Sequence, residues 1–438
     1  MSGFQKQWIE NRGITIIRKC DPAQRRNRPS KVALVLAGGA ISGGGYKLGG
    51  LRALDDFLIS RTDGRVSRPF GVPDFDTFVG LSAGAVFASA LSAGITPTDL
   101  FQIIDGTSSK YVNFTPLHFM WPNSVEFVDR LDMFVRKEVE VFANWLRGLE
   151  NPRTTAPFTL PETLVKATTV LTRLIPTGFF STASLERFLR KNLRRAGIPN
   201  HFARAYKKSG KELYLTAVDV NTGRKIVFGH DEHYRDVPIT QAVVASCALP
   251  GWFRTVRLQN PHFGEAGERR HLDLADGGIV RTANIKTALA KGADLVVCYN
   301  PFRQIQYTNL ERSLYEHGAY ALISQYFRIM LGTRLELARE GFFNDDSVQA
   351  DMVFIEPAED DYLFFLINPV NAWSRHQAAE HGFSAVREAI EQNFPVLRDV
   401  FRAHGITLGT RRADRDAARL DAAHHDGTAI QDVMESSA

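Results

Sequence analysis

The stretch KVALVLAGGAISGGGYKLGG, residues 31–50, passes directly from a short apolar run into a segment dense with glycine. The run Val32–Leu36 is rich in β-branched residues and is followed closely by glycine, which predicts a buried strand. Leucines at helical spacing then predict a helix over Tyr46–Ile59. Between these elements, glycines leave a backbone that can approach a ligand and aim N–H groups at an anion. The segment therefore predicts a site for an anion, either a phosphate or a transient oxyanion.

Two phosphate-binding motifs can be tested against this loop. A Walker-type loop is excluded because Gly45 and Tyr46 stand where Lys and Ser or Thr are required. The dinucleotide motif G-x-G-x-x-G also fails, because Leu48 falls where its third glycine is needed. Both nucleotide interpretations are therefore rejected.

Composition narrows the class of protein. The chain has 438 residues, 44% of them hydrophobic, which is ordinary for a soluble globular enzyme. Its formal net charge of +5 favours anionic surfaces such as phospholipid and does not indicate nucleic acid. Its three cysteines form no CxxC pair, which argues against a disulfide scaffold or a cysteine zinc site. The sequence shows neither a signal-peptide pattern nor an apolar run of the roughly 20 residues needed to span a bilayer. These features predict a cytoplasmic protein, with peripheral membrane contact left open.

Strand and helix patterns alternate over residues 31–100 and again over 212–300, which predicts an α/β fold with a mainly parallel sheet covered by helices. The intervening segment, about 101–210, has the length of an inserted and mostly helical cap. Residues 1–30 are predicted to be an N-terminal arm, 31–405 the main domain, and 406–438 a disordered tail poor in large apolar side chains.

A second motif supplies a nucleophile. Residues 80–84 read GLSAG, a G-x-S-x-G elbow placed between a strand pattern and a helix pattern. Gly80 and Gly84 permit the tight turn that presents the Ser82 hydroxyl, and the following helix N-terminus favours negative charge there. The motif in this context predicts a catalytic serine.

A third motif, DGG at residues 276–278, follows an apolar alternation and places a carboxylate at a strand end. Taken alone, Asp276 is a turn residue, with Gly277 and Gly278 relieving crowding. Beside a catalytic serine it becomes a candidate base. His271 lies five residues earlier and is better explained as a surface or strand-end histidine.

Together, these blocks resemble the patatin-like phospholipase family of Ser-Asp acyl hydrolases. LAGGAISGGG, GLSAG and DGG occur in the family's order, and residues 215–228 and 242–253 are similar to two further family blocks. The resemblance covers about 31–100 and 212–300. It implies the patatin-like three-layer fold, a lipid acyl-ester substrate and a metal-free mechanism without a cofactor.

The resemblance also implies roles for individual residues. Ser82 would attack an ester carbonyl, and Asp276 would serve as general base without an intervening histidine. The N–H groups of Gly39 and Ala40 would receive the oxyanion, with Gly38 shaping the turn and Gly43 to Gly45 as the alternative donors. One departure is visible: Ser42 stands where the family has Arg or Lys.

Three other functions stay open at this point. They are an acyltransferase that uses the same acyl-enzyme, a non-catalytic lipid-binding or regulatory module, and a His-dependent α/β-hydrolase. A fluorophosphonate probe and Ser82→Ala separate the binding module from the enzymes, because only an activated serine is labelled.

Within the inserted segment, LERFLRKNLRRAG at 185–197 predicts a basic amphipathic helix. Its charged face is either solvated or contacts anionic lipid head groups. NFTPLHFMWP at 113–122 lines an acyl channel, touches the interface or packs within the cap. A further amphipathic helix is predicted over 130–149, with its apolar face packed inward.

Overall fold

A computed structural model describes residues 5–20, 29–64, 66–124, 126–130, 132, 176–304, 306, 313–361, 364, 375–422 and 433–434. Its strands are β1 Gln7–Asn11, β2 Ile14–Arg18, β3 Val32–Leu36, β4 Leu58–Asp63, β5 Val66–Pro69, β6 Thr77–Leu81, β7 Gly178–Phe180, β8 Glu212–Asp219, β9 Lys225–Phe228, β10 Gly251–Phe253, β11 Val256–Gln259, β12 His271–Asp276, β13 Leu295–Tyr299, β14 Asp351–Ile355 and β15 Ile406–Leu408. Its helices are α1 Ala40–Phe57, α2 Ala83–Ser92, α3 Pro97–Asp105, α4 Ala183–Arg195, α5 Phe202–Ser209, α6 Ile239–Ser246, α7 Ile285–Ala290, α8 Gly318–Asn344, α9 Arg375–Gln392, α10 Phe394–Ala403 and α11 Arg411–Ala422.

The centre of the molecule is a parallel sheet in the order β14-β13-β3-β6-β8, extended at both edges by antiparallel strands. Every residue of β3, β13 and β14 is buried, as expected for strands covered on both faces. Successive side chains of β3 enter different hydrophobic clusters: Leu34 packs with α1 and α2 residues, whereas Val35 packs with α7 and α8 residues. Helices therefore cover both faces, and the predicted α/β three-layer fold with a mainly parallel sheet is confirmed.

Two strands meet end to end along one edge of β8. Strand β6 runs parallel to β8 and ends with Leu81 opposite Thr216. Strand β12 runs antiparallel to β8 and ends with Asp276 opposite Ala217, the next residue along. Because β9 occupies the other edge of β8, the carboxyl ends of β6 and β12 face one another. This arrangement places the residue after Leu81 next to Asp276.

The N-terminal residues contribute to the sheet. Strands β1 and β2 form a hairpin, and β2 pairs with β14 through contacts such as Ile17 opposite Met352. Ile14, Ile16 and Ile17 are buried. The interpretation of residues 1–30 as a lead-in arm is therefore wrong for 7–18, because three isoleucines within four positions supply an apolar strand.

The C-terminal region is also ordered where the structure describes it. Strand β15 pairs with β4, and Ile406 and Leu408 lie in the core. In α11, the buried Asp416 carboxylate forms an ion pair with Arg52 of α1 at 3.0 Å. The predicted disorder is therefore wrong for β15 and α11, since burial of these groups offsets the weak apolar character of the segment.

The inserted segment is described only in part. Its described regular elements include α4 and α5, which agree with a helical cap, and the short strand β7 pairs with β10. Most of the helix predicted over 130–149 lies outside the described residues. Among the described helices, none combines the length and apolar composition that crossing a bilayer requires.

Candidate active site

Ser82 occupies a strained turn between β6 and α2. Its backbone has φ 52° and ψ −132°, a conformation that costs a residue with a side chain on the order of 1–3 kcal/mol. A Cβ at Gly80 would lie 2.6 Å from the Gly84 carbonyl oxygen, and one at Gly84 would lie 2.1 Å from that of Leu36. Both glycines of the motif are therefore required by close backbone packing, and the turn has the geometry of a nucleophile elbow.

Asp276 lies beside Ser82, as the meeting of β6 and β12 requires. Its side chain is 3% exposed, and its Oδ1 accepts a hydrogen bond from the Gly278 N–H at 2.8 Å. Burial raises the pKa of the Asp276 carboxyl to about 6, while hydrogen bonds from the Ser82 side chain and the Gly278 N–H oppose that rise. The Asp276 carboxyl therefore lies within hydrogen-bonding reach of the Ser82 hydroxyl and has a pKa nearer neutrality than that of an ordinary aspartate.

Gly277 and Gly278 shape the turn that follows Asp276. A Cβ at Gly277 would lie 2.5 Å from the Thr216 carbonyl oxygen, so only glycine fits against β8 there. A Cβ at Gly278 would lie 3.1 Å from Asp276 Oδ1. The two glycines therefore let the chain turn tightly enough for the Gly278 N–H to reach the carboxylate.

The segment that ends α6 holds both Ser82 and Asp276. The Ser82 N–H donates to the Ser246 hydroxyl at 2.8 Å, and the Cys247 thiol donates to the Ser82 carbonyl oxygen at 3.2 Å. The Asp276 N–H donates to the Ala248 carbonyl oxygen at 2.9 Å. Burial raises the pKa of the Cys247 thiol well above its ordinary value, so this group acts as a neutral donor. Ser246 and Ala248 carry no signal of this role in the sequence beyond their position in the block 242–253.

The glycine-rich segment is shorter as a loop than the sequence predicts. Helix α1 begins at Ala40, six residues before the predicted start, so the non-helical part is only Ala37–Gly39. Gly43 and the next two glycines lie inside α1. A helix leaves its first four N–H groups unbonded, counted from the Gly39 cap, and Gly43 follows them. The expectation that Gly43 donates to an oxyanion is therefore wrong, whereas Gly38, Gly39 and Ala40 stay at the free end.

Gly38 is in contact with the elbow. A Cβ placed on Gly38 would lie 3.4 Å from the Ser82 Cβ. Within the described part of the chain, the N–H groups of Gly38 and Gly39 donate no hydrogen bond. Buried N–H groups are rarely left without an acceptor, so this pair is available to a substrate oxygen.

Ala83, the residue after Ser82, belongs to the lining of an apolar cavity of about 780 Å³, a volume that includes open solvent at its mouth. The cavity runs between α1, α2 and α3 and beneath α4, and its lining includes Phe87, Phe114, Phe119, Leu185 and Phe188. Asn192 and Arg375 also reach its wall. Phe114 and Phe119 belong to the aromatic stretch 113–122, so that stretch lines a channel, while Trp121 stays 45% exposed. The lining is almost entirely apolar, which suits a hydrocarbon chain.

The length of β12 separates His271, the candidate histidine, from the Ser82–Asp276 pair. His271 starts β12 while Asp276 ends it, and five residues of strand separate them by about 17 Å. Within the described ranges, no histidine bonds to Ser82 or acts on the Asp276 carboxyl. The geometry thus favours a Ser-Asp pair over a His-dependent triad.

The described residues include one cluster with metal-ligating side chains, His233, His262 and Glu265. Both ring nitrogens of His262 are already engaged: Nδ1 lies 2.8 Å from Glu265 Oε1, and Nε2 lies 2.8 Å from the His233 carbonyl oxygen. The cluster includes neither Ser82 nor Asp276.

The family model described as patatin-like phospholipase matches residues 34–289, a range that contains Gly38, Ser82 and Asp276. No curated protein sequence matches the chain.

Among solved structures, three similar ones are VipD from Legionella pneumophila, the ExoU–SpcU complex of Pseudomonas aeruginosa, and human GIVD cytosolic phospholipase A2 with methyl gamma-linolenyl fluorophosphonate. VipD has 16% identity and a TM-score of 0.34, with 88% of this chain and 70% of that chain covered. The ExoU–SpcU complex has 16% identity and a TM-score of 0.26, with 98% and 71% covered. The human phospholipase has 12% identity and a TM-score of 0.36, with 87% and 61% covered. Likenesses this low carry no argument about function.

Proposed function

The chain belongs to the patatin-like phospholipase family, and from that premise we propose that it hydrolyses lipid acyl esters through a Ser82 acyl-enzyme with Asp276 as general base. The observation that carries the proposal is the register of β8. Thr216 and Ala217 pair with Leu81 and Asp276, and so bring an elbow serine and a buried carboxylate together.

In the first step, the Ser82 oxygen bonds to the ester carbonyl carbon, and the carbonyl π electrons move onto oxygen. The hydroxyl proton passes to Asp276, whose pKa of about 6 lies closer to neutrality than that of an ordinary aspartate. The tetrahedral adduct collapses, the C–O bond to the leaving alcohol breaks, and Asp276 returns the proton to that alcohol. Ser82 then carries the acyl group.

In the second step, Asp276 takes a proton from water as the water oxygen bonds to the acyl carbon. The adduct collapses to release the fatty acid, and the proton returns to the Ser82 oxygen. Both steps develop negative charge on the carbonyl oxygen, and we assign its acceptance to the N–H groups of Gly38, which contacts Ser82, and of the adjacent Gly39. One such donor contributes about 3–4 kcal/mol of transition-state stabilisation.

The apolar cavity supports a long acyl chain as substrate. Its lining includes Ala83, the residue that follows the nucleophile, and this adjacency supports placing the chain of the reacting ester in the cavity. Burial of each methylene stabilises the bound substrate by about 0.8 kcal/mol. We therefore assign the acyl chain of a phospholipid or lysophospholipid to this cavity.

The outer surface of the cap supports peripheral contact with an anionic membrane. Leu117, Trp121 and Phe179 are 61%, 45% and 66% exposed, and the Asn123 N–H bond to the Phe179 carbonyl oxygen joins their segments. The Arg187 guanidinium lies 5.9 Å from the Trp121 ring centre. The basic side chains of α4, which include Arg187 and Lys191, are exposed, while its Phe188 and Leu189 line the cavity. One helix thus joins the surface to the cavity.

The test is covalent labelling with turnover. A fluorophosphonate probe and a dispersed lysophospholipid are offered to the wild type, Ser82→Ala and the control Ser60→Ala, which changes a serine on β4. We expect labelling and fatty-acid release in the wild type and the control, and neither in Ser82→Ala. A wild type that neither reacts with the probe nor releases fatty acid would overturn the proposal in favour of a binding module. Transfer of the acyl group to added glycerol, with little free acid, would show an acyltransferase.

A further inference from the structure

Lys47 is a lysine with no exposed surface, located in the second turn of α1. Its ammonium group donates hydrogen bonds to the Ala37 carbonyl oxygen and, at 3.2 Å, to the Gly38 carbonyl oxygen. The Phe87 ring centre lies 6.0 Å from Nζ. Lys47 therefore donates these hydrogen bonds to the short loop that contacts Ser82.

Among the described residues, no acidic group compensates for the burial of Lys47. In the described ranges no carboxylate bonds to Lys47, and the groups that act on it electrostatically are two thiols, Cys247 and Cys298. Burial lowers the pKa of the Lys47 ammonium to about 7. An apolar side chain would avoid the desolvation cost of a buried cation, so the lysine calls for a role that its carbonyl contacts supply.

Peptide geometry gives that role. In a trans peptide the C=O and the following N–H point in opposite directions. With the Ala37 and Gly38 carbonyls turned towards Nζ, the N–H groups of Gly38 and Gly39 must point away from Lys47. Those two N–H groups are the ones that donate no hydrogen bond within the described residues, and Gly38 abuts Ser82.

We propose that Lys47 is a positioning residue that holds the Ala37 and Gly38 carbonyls and thereby aims the Gly38 and Gly39 N–H groups at the substrate carbonyl oxygen. The inference rests on the proposed function. Lys47 touches no reacting atom. As the Ser82 oxygen bonds to the carbonyl carbon and its proton moves to Asp276, the electron pair displaced onto the carbonyl oxygen meets two N–H groups already in place.

The experiment compares Lys47→Met, Lys47→Arg and the matched control Lys19→Met. Lys19 is also a buried lysine, 7% exposed, whose ammonium donates to two backbone carbonyls, those of Phe342 and Asp345. Release of p-nitrophenol from p-nitrophenyl butyrate gives kcat and KM. Fluorophosphonate labelling carried to completion counts the intact sites, and kcat is expressed per labelled site.

We expect Lys47→Met to lower kcat per labelled site by about 100-fold with KM within about threefold of the wild type, since the donors act on the transition state. Lys47→Arg keeps a cationic donor, so its kcat per labelled site should be at least tenfold higher than that of Lys47→Met. Lys19→Met should lower thermal stability and leave kcat per site unchanged.

An unchanged kcat per labelled site in Lys47→Met, or an equal loss in Lys19→Met, would overturn the inference. So would Lys47→Arg with no more activity than Lys47→Met at equal stability. If Lys47→Met does not fold, Lys47→Gln replaces it, because glutamine keeps two N–H donors. Its kcat per labelled site should be at most tenfold below that of the wild type. A larger loss would also count against the inference. If the wild type itself shows no Ser82-dependent turnover, the proposed function fails instead, so the two failures are distinct.

Discussion

The Ser246 hydroxyl accepts a hydrogen bond from the Ser82 N–H at 2.8 Å and donates one to the Thr216 carbonyl oxygen at 2.6 Å. Ser246 is fully buried, and it ties the elbow to β8 at the residue opposite Leu81. A single side chain therefore links the nucleophile's backbone to the strand that also positions Asp276.

Ser246→Ala should weaken both the fold and the reaction. The substitution leaves the Ser82 N–H and one acceptor of Thr216 without this partner, which costs about 1–3 kcal/mol. A strained elbow that loses a hydrogen bond should also place its hydroxyl less accurately, so we expect kcat to fall at least tenfold. Chemical denaturation and ester hydrolysis measure the two effects. Ser92→Ala, which removes a buried hydroxyl bonded at 3.0 Å to the Ser89 carbonyl oxygen in α2, is the control and should retain kcat.

Asp276 should set the acid limb of the pH profile. Its folded-state pKa of about 6 lies above the ordinary value of 3.8, and only the ionised form accepts a proton from Ser82. We expect kcat/KM to rise with pH through about 6 and then level off. Variants that each replace one histidine with alanine test this assignment. An acid limb of kcat/KM that is unchanged in all of them would agree with Asp276 as the base. Loss of the acid limb in any one of them would contradict the Ser-Asp pair.

The raised pKa of Asp276 also predicts that the stability of the fold decreases with pH over the range in which kcat/KM increases. Because the folded-state pKa is raised, the folded protein loses stability relative to the unfolded chain as pH rises from about 4 to about 6. Above that window the full penalty, about 3 kcal/mol as an upper value, is present. Asp276→Asn should therefore unfold at a higher temperature than the wild type at pH 7.5, while turnover is lost. The difference should shrink towards zero near pH 4, and an equal gain at both pH values would contradict the cause given.

The sequence predicted the elements of the site well and its glycine segment poorly. Val32–Leu36 has the bounds of β3, and the GLSAG and DGG motifs lie at the strand ends where their glycines are needed. These features are local, since a turn requires its glycines wherever the chain runs. The meeting of β6 and β12 along β8 is not local, and only the resemblance to a family anticipated it.

The error over the glycines has a physical explanation. A cluster of glycines predicts a loop because glycine disfavours helix interiors. Here α9 packs against α1 so closely that a Cβ at Gly49 would lie 1.8 Å from the Ala379 carbonyl oxygen, and one at Gly45 would lie 2.6 Å from that of Arg375. The sequence separation of α1 and α9 hides this contact. Some of these glycines therefore serve helix packing, and only Gly38 and Gly39 form the loop.

Gly49→Ala and Gly44→Ala should separate these two roles. The first introduces a methyl group against the α9 backbone, so we expect a loss of about 3 kcal/mol in the free energy of unfolding. At Gly44, a Cβ would meet only Phe87 side-chain atoms, the nearest at 3.5 Å. The greater helix propensity of alanine should then keep stability equal or raise it by up to about 1 kcal/mol. Equal destabilisation in the two variants would contradict the close packing of α1 on α9.

Ala90→Phe should shorten the acyl chain that the enzyme accepts. Ala90 lies on α2 in the wall of the cavity and is 7% exposed. The larger ring would occupy space meant for the end of a chain, at about 0.8 kcal/mol for each methylene excluded. We expect kcat/KM for p-nitrophenyl palmitate to fall at least tenfold and that for the butyrate ester to change little. Ala183→Phe, on the exposed start of α4, is the control, and equal losses for both esters in Ala90→Phe would argue against an acyl chain in this cavity.

Trp121 and Phe179 should contribute to the binding of the protein to anionic lipid membranes. Sedimentation with vesicles of phosphatidylcholine, with and without phosphatidylserine, measures the bound fraction of wild type, Trp121→Ala/Phe179→Ala and the control Leu337→Ala, which removes a 64% exposed side chain of α8. We expect phosphatidylserine to strengthen binding at low salt, because each basic side chain of α4 near the surface contributes about 1 kcal/mol. The double variant should bind at least tenfold less tightly, with hydrolysis of a water-soluble ester unchanged. Binding that ignores both phosphatidylserine and salt, or that weakens equally in Leu337→Ala, would show that this surface of the cap does not dock on the membrane.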